Sequence, residues 1–209
     1  MFANSNSQNN QNSPNNSQSY KDKIKESWAQ VPLFVRFIII TTITFYIISW
    51  ITPFMMNFTN IPLFTIYKFH IWRVMTSVFM TLSIINILFA FFAWLPDALK
   101  LEKSTGTVRY FFNFMINSVN IQLLYTTLAL IISLFAKEIL MMPSSGLWPM
   151  ILAEITILCL TNPQGQLRML IIPCMIPAKF YPWALFAFFT LLNMNVQFDI
   201  LAGILYGYI

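Results

Sequence analysis

KFHIWRVMTS, residues 68 to 77, places Lys68, His70, Trp72 and Arg73 in a chain that is otherwise nearly free of charge. A Trp ring suits headgroup depth, and a neighbouring Arg can run its stem through the apolar layer while its guanidinium reaches water or phosphate. On the residues alone the pair is an interfacial anchor between two hydrophobic segments. Working outward, 57% of the 209 residues are hydrophobic and 9% charged, against about 25% charged in an ordinary soluble domain. The pattern predicts an integral membrane protein. About six short spans use most of the length, leaving little chain for a second folded domain. The net charge of +5 fits basic residues at membrane ends better than nucleic acid as a partner.

Residues 1–19 are an Asn, Gln and Ser tract with little to bury, which predicts disorder. They lack the apolar core of a cleavable signal peptide, so the first span is read as the targeting signal. Residues 20–32 alternate Lys21, Lys23 and Lys25 with Asp22 and Glu26 ahead of Trp28, as in an amphipathic segment lying on the membrane. Residues 33–209 then form the membrane domain. Span one is expected from Leu33 to Met56 and span two from Val74 to Leu95, with Pro96 and Asp97 marking its end. Span three is expected from Tyr110 to Ala136. Its Asn113, Asn117, Asn120 and Gln122 should face other helices rather than lipid.

PSSGLWP, residues 143 to 149, opens span four, which reaches Leu160 and carries Glu154. A carboxyl at that depth should be protonated, paired or turned to a polar cavity. Pairing with an amide of span three is favoured over a place in a proton or ion path. Residues 161–168 read as a turn, and 169–182, with three prolines, as interfacial. Span five runs from Trp183 to Asn195. The last stretch, residues 196–209, holds Gly203 and Gly207 at a spacing that lets two helices approach closely. Its fourteen residues rise only about 21 Å, against about 30 Å for a hydrocarbon core. That reads as a span cut short or as a crossing of a locally thin membrane.

Six spans with both termini cytosolic put Lys21, Lys23, Lys25, Arg36, Lys100, Lys103, Arg109, Arg168 and Lys179 on the cytosolic side, nine of the twelve basic residues. Lys68, Arg73 and Lys137 fall on the lumenal side. For chemistry, Ser145 beside Gly146 at a helix start could be a nucleophile near helix-dipole amides, although serine there reads first as an N-cap. A nucleophile needs a base within reach. His70 is the only histidine and lies in a different loop, and Glu154 is nine residues away. Cys159, Cys174 and one histidine make no usual metal set, and no cofactor is expected.

In their order along the chain these motifs resemble the rhomboid-like superfamily and, within it, the Derlins. Trp72-Arg73 is similar to the superfamily's WR pair. LEKSTGT at 101–107, with Glu102 and Gly106, is similar to the segment leading into the third helix. NPQGQLRM, with Asn162, Pro163 and Arg168, resembles the Asn-Pro turn, and AKFYPWALFAFFTLL at 178–192, with Pro182-Trp183, resembles the start of the fifth helix. Gly203 and Gly207 match the glycines of the sixth. Together the motifs cover residues 28–209.

The resemblance implies an all-α membrane fold, a rhomboid-like bundle of six transmembrane helices. It also implies a role in moving misfolded proteins out of the endoplasmic reticulum for degradation, with an E3 ubiquitin ligase complex and a cytosolic AAA segregase as partners. Active rhomboids carry their base three residues before the first of these glycines, where this chain has Ile200. Pro143 stands where a glycine is expected before the serine, and Derlins place an acid one residue from Asp199. The resemblance therefore implies a pseudoprotease. Two alternatives stay open: an intramembrane serine protease using Ser145, or a non-catalytic adaptor, holding another helix through Gly203 and Gly207, of the rhomboid-like type that bears a ubiquitin-associated domain. The residues themselves leave Golgi and mitochondrial membranes open as well.

Overall fold

The structure is a computed structural model describing residues 25, 28–52, 54–81, 83–161, 163–168 and 175–209, with residues 166–168 described as backbone only. The Asn, Gln and Ser tract, most of the amphipathic segment, Asn162 and Cys174 lie outside the described residues. Nine α-helices are found among the described residues: α1 (Leu33–Ser49), α2 (Met55–Phe58), α3 (Pro62–Tyr67), α4 (Trp72–Thr76), α5 (Ile84–Thr105), α6 (Thr107–Ile132), α7 (Trp148–Thr161), α8 (Tyr181–Asn193) and α9 (Phe198–Tyr208). A two-stranded antiparallel ribbon, β1 (Gln166–Arg168) and β2 (Met175–Pro177), pairs Leu167 with Ile176. The turn expected over residues 161–168 thus ends in a strand.

Two span boundaries differ from the sequence reading. Span one stops at Ser49 rather than Met56, because Thr52 precedes Pro53 and the residue before a proline disfavours the α region. Span two begins at Ile84, ten residues after Val74, and runs through Pro96 to Thr105. One face of α5, formed by Ile87, Ala90, Trp94, Ala98 and Glu102, is buried at helical spacing on both sides of the proline. That continuous face outweighs the hydrogen bond Pro96 cannot donate. The chain turns instead at Gly106, whose φ of 87° suits glycine.

The helices sort by what surrounds them. Residues 148–153 of α7 are all buried, so its first turns form the centre of the fold. Helix α9 packs most extensively on α7 and next on α6. A Cβ at Gly203 would run into the Pro149 carbonyl, and one at Gly207 would lie 2.6 Å from Thr156 Cβ and 2.9 Å from Ala153 O. The glycines therefore seat α9 on α7 of the same chain. That face is filled, and the adaptor reading in which they hold another protein's helix is corrected by it.

Leu88 and Phe92 on α5, and Phe112, Ile116, Leu123 and Ile131 on α6, point outward and are exposed. So continuous an apolar exterior suits lipid, and α5 and α6 are long and apolar enough to cross a membrane. Helices α1, α7 and α9 are shorter apolar helices.

One buried charge ties the bundle together. Pro32 precedes α1 without a side-chain cap, leaving the first amides of the helix without partners. Glu102, 2% exposed, reaches from α5 to fill that place. Its Oε1 accepts the Phe34 N–H and its Oε2 the Val35 N–H, both at 2.8 Å, and Oε1 also accepts the Thr107 hydroxyl at 2.8 Å. A carboxylate at a helix N-terminus is favoured by the hydrogen bonds and by the helix dipole.

Candidate functional site

The loop from Met55 to Thr81 holds three short helices and closes over the N-terminal end of α7. Arg73 organises it, and the structure corrects the anchor reading of this residue. It is 4% exposed, and its guanidinium turns inward rather than toward water or phosphate. Its terminal nitrogen donates to the Met56 carbonyl at 2.7 Å and the Thr59 carbonyl at 3.0 Å, two acceptors left where α2 ends. Burial lowers its pKa, but an arginine remains charged. Arg73 Nε donates to His70 Nδ1 at 3.3 Å, and the His70 ring stacks on Trp72 at 4.5 Å between centroids. Trp72 itself is half exposed.

A polar junction joins this loop to the strand of chain before α7. Asn60 and Ser144 pair through both backbone groups, at 3.1 and 2.8 Å. The Gly146 N–H donates to the Ser77 carbonyl at 2.9 Å. Beneath them, Gln122 of α6 donates to Ser144 Oγ at 3.0 Å and accepts from the Asn60 amide at 2.8 Å; Asn60 also donates to Thr126 and accepts from Thr65. Every polar group of Asn60 is engaged, as burial requires. Gly146 takes a φ of 88°, and a Cβ there would lie 3.1 Å from Thr81 Oγ1.

Neither serine is an N-cap, since α7 begins at Trp148. Ser144 is fully buried in the junction. Ser145 lines a cavity of about 310 Å³ between the starts of α5, α7 and α9 and the end of α8. Asn86, Tyr125, Asn193, Gln197, Asp199 and Ile200 share that cavity. His70 is not among its lining residues, so the only histidine stays in the loop junction. Asp199 does reach the cavity, and its Oδ1 accepts the Ile200 N–H at 2.8 Å. Ile200 is buried. Among the described residues no side-chain hydrogen bond reaches Ser145 Oγ. The cavity thus holds a hydroxyl and polar groups able to bind a peptide backbone, but no base joined to that hydroxyl.

The remaining sequence candidates divide. Asn117 accepts from Tyr206 at 2.9 Å and Asn120 donates to the same hydroxyl at 3.4 Å, so these two amides bridge α6 to α9, while Gln122 joins α6 to the loop junction. Asn113 is exposed. It lines a second cavity with Asn117 and Glu154, yet among the described residues no hydrogen bond joins Glu154 to an amide of α6. The pairing expected for Glu154 is therefore corrected: the carboxyl faces a cavity. Pro182 sits in the first turn of α8, where a missing N–H costs nothing, and Trp183 donates to the Tyr208 hydroxyl at 3.1 Å, tying α8 to α9. Pro163 is exposed, Arg168 lies in β1, and Cys159 is buried in α7. Sequence reasoning missed Asn60; the only local sign was its place before Ile61-Pro62, and its partner Ser144 lies far along the chain.

A buried central helix with a Ser-Gly loop at its head, a second helix seated on it through glycines, and a polar cavity among apolar helices define a helical membrane domain with an internal polar site. The rhomboid domain family matches residues 68–209, more than half of the chain, and the chain belongs to that family. It is also similar to "Rhomboid-like protein 15" of Arabidopsis thaliana, with 25% identity over 201 residues, 89% of this chain and 49% of the relative. The chain spans about half the length of that curated relative. Membership makes this a rhomboid-like membrane protein, in a family with both active proteases and inactive members.

Proposed function

We propose that the protein is a catalytically inactive, Derlin-like rhomboid of the endoplasmic reticulum membrane that helps misfolded proteins leave for the cytosol and degradation. On this reading α1 and α5 to α9 are six membrane-spanning helices, and both termini are cytosolic. The observation that carries the reading is Ile200: a buried isoleucine lines the cavity of Ser145 at the position where active relatives place their base. Asp199 beside it is spent in part on its own helix start.

The physical task is to lower the cost of passing polar chain through lipid. Helices α7, α8 and α9 have 14, 13 and 11 residues, rises of roughly 21, 20 and 17 Å at about 1.5 Å per residue. Short helices thin the bilayer around them. A polar cavity at their ends offers hydrogen bonds to a backbone that lipid cannot satisfy. An E3 ligase complex and a cytosolic AAA segregase belong to the proposal as the machinery that would receive the substrate.

The test is turnover of a misfolded lumenal reporter in cells depleted of the protein and complemented with wild type or Ser145→Ala. Slowed turnover, restored equally by both, is expected. Failure of Ser145→Ala alone would favour the protease alternative. Turnover unchanged by depletion would remove the export role and favour a non-catalytic adaptor of the type bearing a ubiquitin-associated domain.

A further inference from the structure

A second cavity, of about 480 Å³, lies toward the opposite end of α7 from Ser145, between α5, α6 and α7. Its wall is mainly apolar, from Phe114, Ile151, Ile155 and Leu158, with a polar group of Trp94, Tyr110 and Glu154. Trp94 and Tyr110 are 1% and 5% exposed, and neither the indole N–H nor the phenol oxygen makes a well-formed hydrogen bond. The two lie beside one another. Even a bond from Trp94 to the Tyr110 oxygen would leave the Tyr110 O–H without an acceptor. Buried donors in this state are costly, and they call for a partner the described residues do not supply.

We propose that this cavity binds a single-chain lipid with an uncharged, hydroxyl-bearing head, of the monoacylglycerol class. The head follows from the donor and acceptor balance. The Tyr110 O–H needs an acceptor, while the Glu154 carboxyl and the Asn113 amide offer acceptors of their own; a hydroxyl both accepts and donates. An amine head donates only and leaves the Tyr110 O–H unpaired. A phosphate or carboxylate head would face Asp97, and Lys100, the basic residue on the cavity wall, is already within 3.6 Å of that carboxylate. The tail follows from size. The space of about 480 Å³, apolar on most of its wall, is on the scale of a small head and part of one chain. This site is independent of the cavity around Ser145 and of the export role proposed above.

The test uses the full chain in phosphatidylcholine nanodiscs and a diazirine-bearing monooleoylglycerol. Labelling is expected to saturate and to map to peptides of α5, α6 and α7. Unlabelled monooleoylglycerol should compete at concentrations at least tenfold below lysophosphatidylcholine, oleate or oleylamine. Tyr110→Phe, which deletes one oxygen, should cut labelling about fivefold with unchanged thermal stability, and Ile155→Trp, which fills the cavity, should abolish it. Equal competition by all four lipids, labelling confined to outward residues such as Leu88 and Phe92, no saturable labelling, or full labelling of a folded Tyr110→Phe would each overturn the proposal.

Discussion

Replacing Glu102 tests the internal logic of the bundle, because one side chain serves three donors on two other segments. Glu102→Ala would leave the Phe34 and Val35 amides unpaired at a site closed to water, and the half-buried Thr107 hydroxyl without its partner. At about 1–3 kcal/mol for each buried unsatisfied group, and with Thr107 free to turn elsewhere, the loss should be about 2–6 kcal/mol. Against a total stability of about 5–15 kcal/mol that is a large fraction. Glu102→Gln keeps one acceptor oxygen but presents an amide donor to the second N–H and removes the charge favoured at a helix start; about 2–3 kcal/mol should be lost. Denaturant unfolding of the purified protein in detergent, followed by circular dichroism, gives the magnitudes. Hydrogen exchange at Phe34 and Val35 gives the location. Lys103→Gln, one residue on and exposed, is the control and should change stability by less than about 0.5 kcal/mol. Wild-type stability in Glu102→Ala, or unchanged protection at the two amides, would refute the capping argument.

Two further substitutions probe the site's supports. Gly203→Ala drives a methyl group into the Pro149 backbone, and should cost about 1–3 kcal/mol or more in the same unfolding assay; a wild-type midpoint would show that α9 does not seat as described. Arg73→Lys keeps the charge but loses the guanidinium fork, so the Met55 to Thr81 loop should become more sensitive to limited proteolysis while the helices keep their far-ultraviolet signal. Unchanged cleavage would return Arg73 to the role of an ordinary anchor.

The apolar runs of the sequence located α6, α7 and α8 to within a few residues, since lipid-facing and centre-facing positions are both apolar and the segments announce themselves by composition. The same uniformity hid where spans one and two end. Val74 to Met80 is apolar enough to pass for membrane helix, but it holds only the end of the short helix α4 and one 3-10 turn; Pro96 reads as a terminator because the buried face running from Ile87 to Glu102 depends on what α5 packs against. The spacing of Gly203 and Gly207 made a close helix contact legible, but not that the contact is with Pro149, Ala153 and Thr156 of the same chain. Arg73 was conspicuous, yet its acceptors are main-chain carbonyls that exist only once the chain has turned at Phe58. Asn60 and Ser144 meet through backbone pairing and one glutamine, which no local pattern encodes. Ser145 and Ile200 were named from the residues and their resemblance; the structure adds that both open onto one cavity.

The central claim is that Ser145 lines a substrate cavity without being an activated nucleophile, and reaction with a fluorophosphonate probe tests it most directly. The purified wild-type protein, in detergent and in lipid, should label no more strongly than Ser145→Ala. Saturable wild-type labelling that maps to Ser145 and disappears in Ser145→Ala would contradict the account, and would require a base that reaches the hydroxyl from somewhere other than position 200.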